Sequence, residues 1–154
     1  MEDLEGLVDA IRYIGSRTSF SGVAFNVNHS VSSVEKVAVN PYFRKSLFNI
    51  FLGTAVDYGN WTANKVAQDE ITHAFLPALE AITPDGGVYL NEADFQAADF
   101  QRVFYGDHYE RLLRIKWRYD PEDLFYAKTA VGSERLEERL DGRLCRVAAA
   151  ANAS

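Results

Sequence analysis

The hydrophobic period of the chain changes at Tyr58-Gly59-Asn60, and that change limits the possible folds more than any other feature. Upstream, after a short opening helix, apolar residues recur as in strands; downstream they recur at every third or fourth position. From Gly22 to Ser30, Val23, Phe25 and Val27 alternate with Ala24, Asn26 and Asn28, the pattern of a half-buried strand. Val37 to Phe43 reads as a second extended piece, interrupted at Pro41 as suits a sheet edge. Ser46 to Val56 (SLFNIFLGTAV) is apolar on both faces apart from Asn49 and predicts a central strand. Beyond the change, Ala67, Ile71, Ala74, Phe75, Ala78, Leu79 and Ile82 form one helical stripe. Pro77 lies inside it, so a kink or a break is expected there.

The remaining segments are punctuated by local signals. Leu4, Leu7, Val8, Ile11 and Ile14 share a helical face behind Asp3 as N-cap, with Gly15 as the stop. Residues 84–87 (PDGG) make a turn, and Val88 to Glu92 predicts a short strand. Asp107 and Glu110 have the spacing of a capping box for a helix with Tyr109, Leu112, Leu113 and Lys116 on one face, stopped by Asp120-Pro121. Ser133 to Arg146 predicts a short charged helix, and residues 147–154 a frayed tail. About four strands with helices before, between and after them define an α+β fold, an antiparallel sheet with helices on one face. At 154 residues it forms one domain: sheet and helices over 1–95, a helical segment over 96–146, then the tail. So small a sheet leaves edges and a face for another chain to cover, and a homodimer is one way of doing so.

Several function classes are excluded at this level. A formal net charge of −6 opposes binding to a nucleic-acid backbone. No apolar run reaches the roughly 18–20 residues that span a bilayer, and the acidic start MEDLEGLVDA is unlike a secretory leader, so a cytoplasmic protein is expected. Cys145 is the lone cysteine, and His29, His73 and His108 lie far apart, so no metal site is expected.

The densest grouping of polar residues is in GGVYLNEADFQ, where Asn91, Glu92 and Asp94 follow Tyr89. With its neighbours, this stretch resembles a known family. VYLNEADF (88–95), FYGDHYERLLRIKWRYDPEDLFY (104–126) and GRLCR (142–146) are similar, in order and spacing, to the C-terminal end of berberine bridge enzyme-like FAD-linked oxidases. These belong to the vanillyl-alcohol oxidase flavoprotein superfamily, and the likeness is to its fungal branch. A weaker likeness, VAVNPYFR at 37–44, places the upstream strands in the same family's substrate domain.

The resemblance implies a truncated substrate domain. Family members are much longer, and their N-terminal half carries the FAD-binding domain with its glycine-rich pyrophosphate loop. Here the one pair of adjacent glycines is Gly86-Gly87, so FAD, the cofactor of the parent family, is not expected to bind tightly to this chain. In the family the strand ending in Tyr-x-Asn lies over the isoalloxazine ring, and the residue after the Asn is a general base in sugar-oxidising members. That position is Glu92, which becomes the candidate catalytic acid or base, with a pKa raised by apolar surroundings. Its structural alternative is an exposed glutamate or a partner of Arg102. Tyr89, Asn91, Tyr105, His108 and Tyr109 are the candidate substrate-binding residues, His108 standing where the family often has asparagine. Ring-rich helices also build cores, and that reading of the tyrosines stays open.

Three functions remain. The chain is a truncated FAD-linked oxidase of fungal secondary metabolism, taking a small-molecule substrate and a separate FAD-binding subunit. Alternatively it is a cofactor-independent, pericyclase-like cyclase, isomerase or dehydratase acting on a polyketide or terpenoid intermediate, covered by a second copy of itself. Or it is a non-catalytic binding remnant.

Overall fold

A computed structural model describes residues 3–27, 33 and 36–147. Its first helix, α1 (Leu4–Gly15), starts where Asp3 accepts the Gly6 N–H at 2.7 Å. Leu7, Ala10 and Ile14 are buried at helical spacing. The buried stripe is narrower than predicted, because Leu4 is 65% exposed. Strand β1 (Ser19–Ala24) then pairs antiparallel with β2 (Phe48–Gly53), with Phe20 opposite Leu52 and Gly22 opposite Ile50. A side chain at Gly22 would meet the Asn49 carbonyl at 2.9 Å, so glycine there permits the close approach of the strands.

Three expectations for this region are corrected. The first strand begins at Ser19, not Gly22, and ends at Ala24; positions 28–30 of the predicted run lie outside the described residues. The run 46–56 contributes only Phe48–Gly53, which pairs with β1 alone and is not central. Val37 to Phe43 is not extended: Asn40 accepts the Tyr42 N–H at 3.1 Å and caps a 3-10 turn over Pro41–Arg44. Proline suits the first position of such a turn, since it has no N–H to satisfy and a fixed φ.

Helix α2 (Trp61–Glu70) is capped by Asn60, which accepts the Ala63 N–H at 3.0 Å. It runs into a π-turn (Ile71–Phe75) and then α3 (Leu76–Glu80). The irregularity expected at Pro77 therefore takes the form of a widened turn just before it, where the ring removes a donor and crowds the preceding carbonyls. Phe75, 1% exposed, and Ile14, 0% exposed, lock α1 onto this turn, and the Tyr13 ring meets Phe75 edge-on at 5.8 Å.

The rest of the chain forms a second core of Phe100, Val103, Phe104, Tyr105, Tyr109 and Leu113. It is built from a π-turn (Gln101–Tyr105), a 3-10 turn (Gly106–His108) and α4 (Tyr109–Tyr119). The predicted strand over 88–92 is instead a 3-10 turn at Leu90–Glu92, and Val88 N–H donates to the Val103 carbonyl at 2.8 Å. The capping box does not form, because α4 is entered directly from the preceding 3-10 turn with no side-chain cap. The predicted helix over 133–146 is also absent. A 3-10 turn (Ser133–Arg135) leads into a hairpin of β3 (Leu136–Glu138) and β4 (Leu144–Arg146). The turn between them contains Asp141-Gly142, with Gly142 at φ 80°, a combination that favours hairpins over helices. The fold is α+β, and among the described residues four strands are arranged as two separate two-stranded antiparallel sheets.

Helix α4 stops as predicted. The Asp120 carboxylate pairs with Lys116 and accepts the N–H groups of Leu124 (2.8 Å) and Phe125 (3.0 Å). The Lys116 ammonium holds this carboxyl below the usual carboxylate range; burial opposes the shift, and the two N–H donors add to it. A depressed folded-state pKa means that the stabilisation is complete above the ordinary aspartate value of about 3.9 and is lost as pH falls through the lower folded value. Asp120→Asn is therefore expected to lower Tm most near neutrality, with the gap to wild type closing on acidification. A gap independent of pH in thermal melts would contradict this.

Candidate ligand-facing site

Tyr89 and the turn that follows it project Tyr89, Asn91 and Glu92 at the surface. Tyr89 is 40% exposed, and its hydroxyl accepts a hydrogen bond from the Asn91 amide at 2.8 Å. Its ring stands edge-on to Phe43 at 6.1 Å, and Phe43 stacks on Phe25 at 5.7 Å with the planes only 8° apart. Three distant segments thus make one aromatic row: the chain after β1, the 3-10 turn at Pro41–Arg44, and the stretch 88–92. The sequence reading missed Phe25 and Phe43. The alternation through Phe25 and the family likeness of VAVNPYFR were the signals that pointed to them.

Glu92 is exposed, not enclosed among apolar groups, and makes no ion pair with Arg102, which bonds Asp99 at 2.5 Å instead. A row of rings with an amide and a free carboxylate at its rim can stack a planar ligand and exchange a proton with it.

The other three candidates sit elsewhere. Tyr105, His108 and Tyr109 are buried with the second core. The Tyr105 hydroxyl donates to the Thr129 carbonyl at 3.0 Å. The Tyr109 hydroxyl donates to the Glu134 carboxylate at 2.6 Å and accepts the Gly132 N–H at 3.1 Å. Burial, then the Glu134 carboxylate, pushes the Tyr109 phenol well above its ordinary value; burial also raises the Tyr105 phenol. Both remain neutral phenols that tie the 129–134 segment to α4. His108 Nε2 is buried without a hydrogen-bond partner among the described residues. Two hollows beside α4, one lined by Lys116, Phe125 and Val131 and the other by Trp117, Pro121 and Arg135, include none of the six candidates.

Asn40 joins the two groups. It is 4% exposed, and its amide donates to the Val103 carbonyl at 2.8 Å, the same carbonyl that accepts Val88 N–H. The turn carrying Phe43 is thereby fastened to the second core beside the stretch carrying Tyr89. Among the described residues no His, Cys, Asp and Glu grouping suits a metal ion, and no helix is long and apolar enough to cross a membrane.

This arrangement is similar to part of a VAO-type flavoprotein. The structure is similar to that of the VAO-type flavoprotein MtVAO615 from Myceliophthora thermophila C1, with a TM-score of 0.80 at 33% identity, covering 92% of this chain and 26% of that one. Residues 88–132 match the family described as berberine and berberine like. The FAD-linked oxidoreductase sor8 of Hypocrea jecorina is 42% identical over 145 residues, which is 93% of this chain and 25% of the relative. The bifunctional decalin synthase calF of Penicillium decumbens is 42% identical over 115 residues, 71% of this chain and 20% of the relative. The chain is a homologue of fungal berberine-like FAD-linked oxidoreductases, and it spans about a quarter of the length of the curated relatives it matches.

Proposed function

We propose that this chain is the ring-facing portion of an FAD-linked oxidoreductase of fungal secondary metabolism, working with a separate FAD-binding subunit. The observation that carries the reading is the row of half-buried Phe25 and Phe43 and exposed Tyr89 with Asn91 at its rim, within and beside the segment that matches the family. These residues suit one face of an isoalloxazine ring and a small planar substrate, whereas the described backbone offers no glycine-rich turn for a pyrophosphate. FAD, when bound, supplies the electron acceptor. This chain's part is to stack the substrate on Tyr89, orient a polar group through Asn91 and move a proton at the Glu92 carboxylate. Tyr105, His108 and Tyr109 support that surface from the core and do not touch the substrate.

The similarity to a relative named a decalin synthase favours one other reading, a flavin-free cyclase using the same surface, its open sheet covered by a second copy. The visible spectrum separates the two. The chain is incubated with excess FAD and desalted, alone and after co-expression with the three quarters of sor8 that it does not match. Flavin absorbance is expected only in the co-expressed sample, with substrate turnover lost in Glu92→Gln. Flavin retained by the chain alone would overturn the need for a partner, and a colourless co-expressed sample would favour the flavin-free enzyme.

A further inference from the structure

The stretch 88–92 is too weakly built to hold its own shape. Its internal backbone bonds are Glu92 N–H to the Tyr89 carbonyl (3.0 Å) and Ala93 N–H to the Leu90 carbonyl (3.4 Å). Its first end is fixed by Val88 on Val103. Its far end is fixed by Asp94, a residue of the polar-rich stretch to which the proposed function gives no role. The Thr72 hydroxyl, inside the π-turn at Ile71–Phe75, donates to Asp94 Oδ2 at 2.7 Å and accepts from the Gln96 amide at 2.8 Å. Asp94 Oδ1 accepts the Gln96 N–H at 2.8 Å, and Lys65 spans Asp69 (2.5 Å) and the Gln96 carbonyl oxygen (3.2 Å). Asp94 Oδ2 and both ends of the Gln96 side-chain amide bond the helical segment, while Asp94 Oδ1 closes the loop on the Gln96 N–H, so the cluster grips the turn.

We infer that Thr72 and Asp94 are positioning residues, which hold the turn that presents Tyr89, Asn91 and Glu92 at its functional height against the helix. A charge-assisted bond to a half-buried carboxylate is stronger than a neutral one, which suits a clamp on a surface turn. The π-turn provides the site, since its widened ring of backbone directs Thr72 towards the loop, and such turns recur at functional sites. The inference rests on the reading that this turn faces the ligand.

The test is amide hydrogen exchange followed by NMR on the full chain, with no flavin or partner added, so its outcome is independent of the flavin experiment. Thr72→Val keeps the shape and removes the hydroxyl; Thr72→Ser keeps the hydroxyl. Exchange at Glu92 and Ala93 is expected to quicken at least about tenfold in Thr72→Val, as loss of the hydroxyl's bonds to Asp94 and Gln96 implies. The Asn91 side-chain signals should shift with it, wild-type behaviour should return in Thr72→Ser, and the α4 amides should stay unchanged. Unaltered exchange at the turn in Thr72→Val would overturn the inference. Equal acceleration at the turn and in α4 would also overturn it, because the pair would then serve general stability alone.

Discussion

A Gly106→Ala variant is expected to lose about 3–5 kcal/mol of unfolding free energy, the sum of backbone strain and a forced clash in a tight core. Gly106 sits at φ 55°, ψ −141°, a conformation essentially reserved for glycine. A Cβ there would also stand 2.7 Å from Asn40 Oδ1 and 3.3 Å from Pro41 Cδ. Asn40 cannot retreat without releasing the Val103 carbonyl and the Tyr42 N–H, both of which it satisfies. Gly142→Ala provides the control. It has a similar φ of 80° but nothing within 4 Å of the new methyl, so it incurs only the strain, about 1–2 kcal/mol. Urea titrations of the two variants measure the difference. Equal losses would mean that the Asn40 contact is not the rigid point described above.

Phe75→Ala is expected to cost about 3–5 kcal/mol, the usual range for emptying a fully buried aromatic site. Its ring is 1% exposed, lies against Tyr13 and sits in the π-turn onto which α1 docks. The surroundings cannot collapse easily, because the turn is held on one side by α1 and on the other by the Thr72–Asp94 bond. Phe75→Leu refills most of the volume and should recover more than half of the loss in the same urea assay. A Phe75→Ala loss below about 1.5 kcal/mol, that of a minor truncation, would show that α1 is not anchored there.

Both variants probe features of different legibility. The distorted turn before Pro77 was readable, because a proline inside a helical stripe acts on its own preceding turn. The same holds for the cap at Asp3 and the stop at Asp120, each decided by contacts within five residues. Asn40 was not readable. Its partner Val103 is 63 positions away, and nothing in VAVNPYFR tells a buried clamp from an exposed turn residue. The candidate site divides along the same line. Tyr89, Asn91 and Glu92 could be singled out because they form one motif, whereas Phe25 and Phe43 join them only through the packing of three remote segments. Tyr105 and Tyr109 carry the same family signal as Tyr89, yet their rings face the core; a one-dimensional pattern of aromatics does not say which side of a helix its neighbours will cover. The predicted helix at 133–146 failed for a different reason: Asp141-Gly142 is a hairpin signal, and it outweighed a charge pattern compatible with either structure.

By itself, then, the amino-acid sequence determined the α+β class, the cap of α1 and the stop of α4, and the kinship with berberine-like FAD-linked oxidoreductases, since each depends on short-range order or on motif spacing. Tertiary structure alone decided that the four described strands part into two ribbons, that three of six candidate residues are buried, and that a threonine in a π-turn bonds Asp94. Those outcomes depend on which surfaces meet after collapse, where the free energy of burial is shared among residues far apart in the chain.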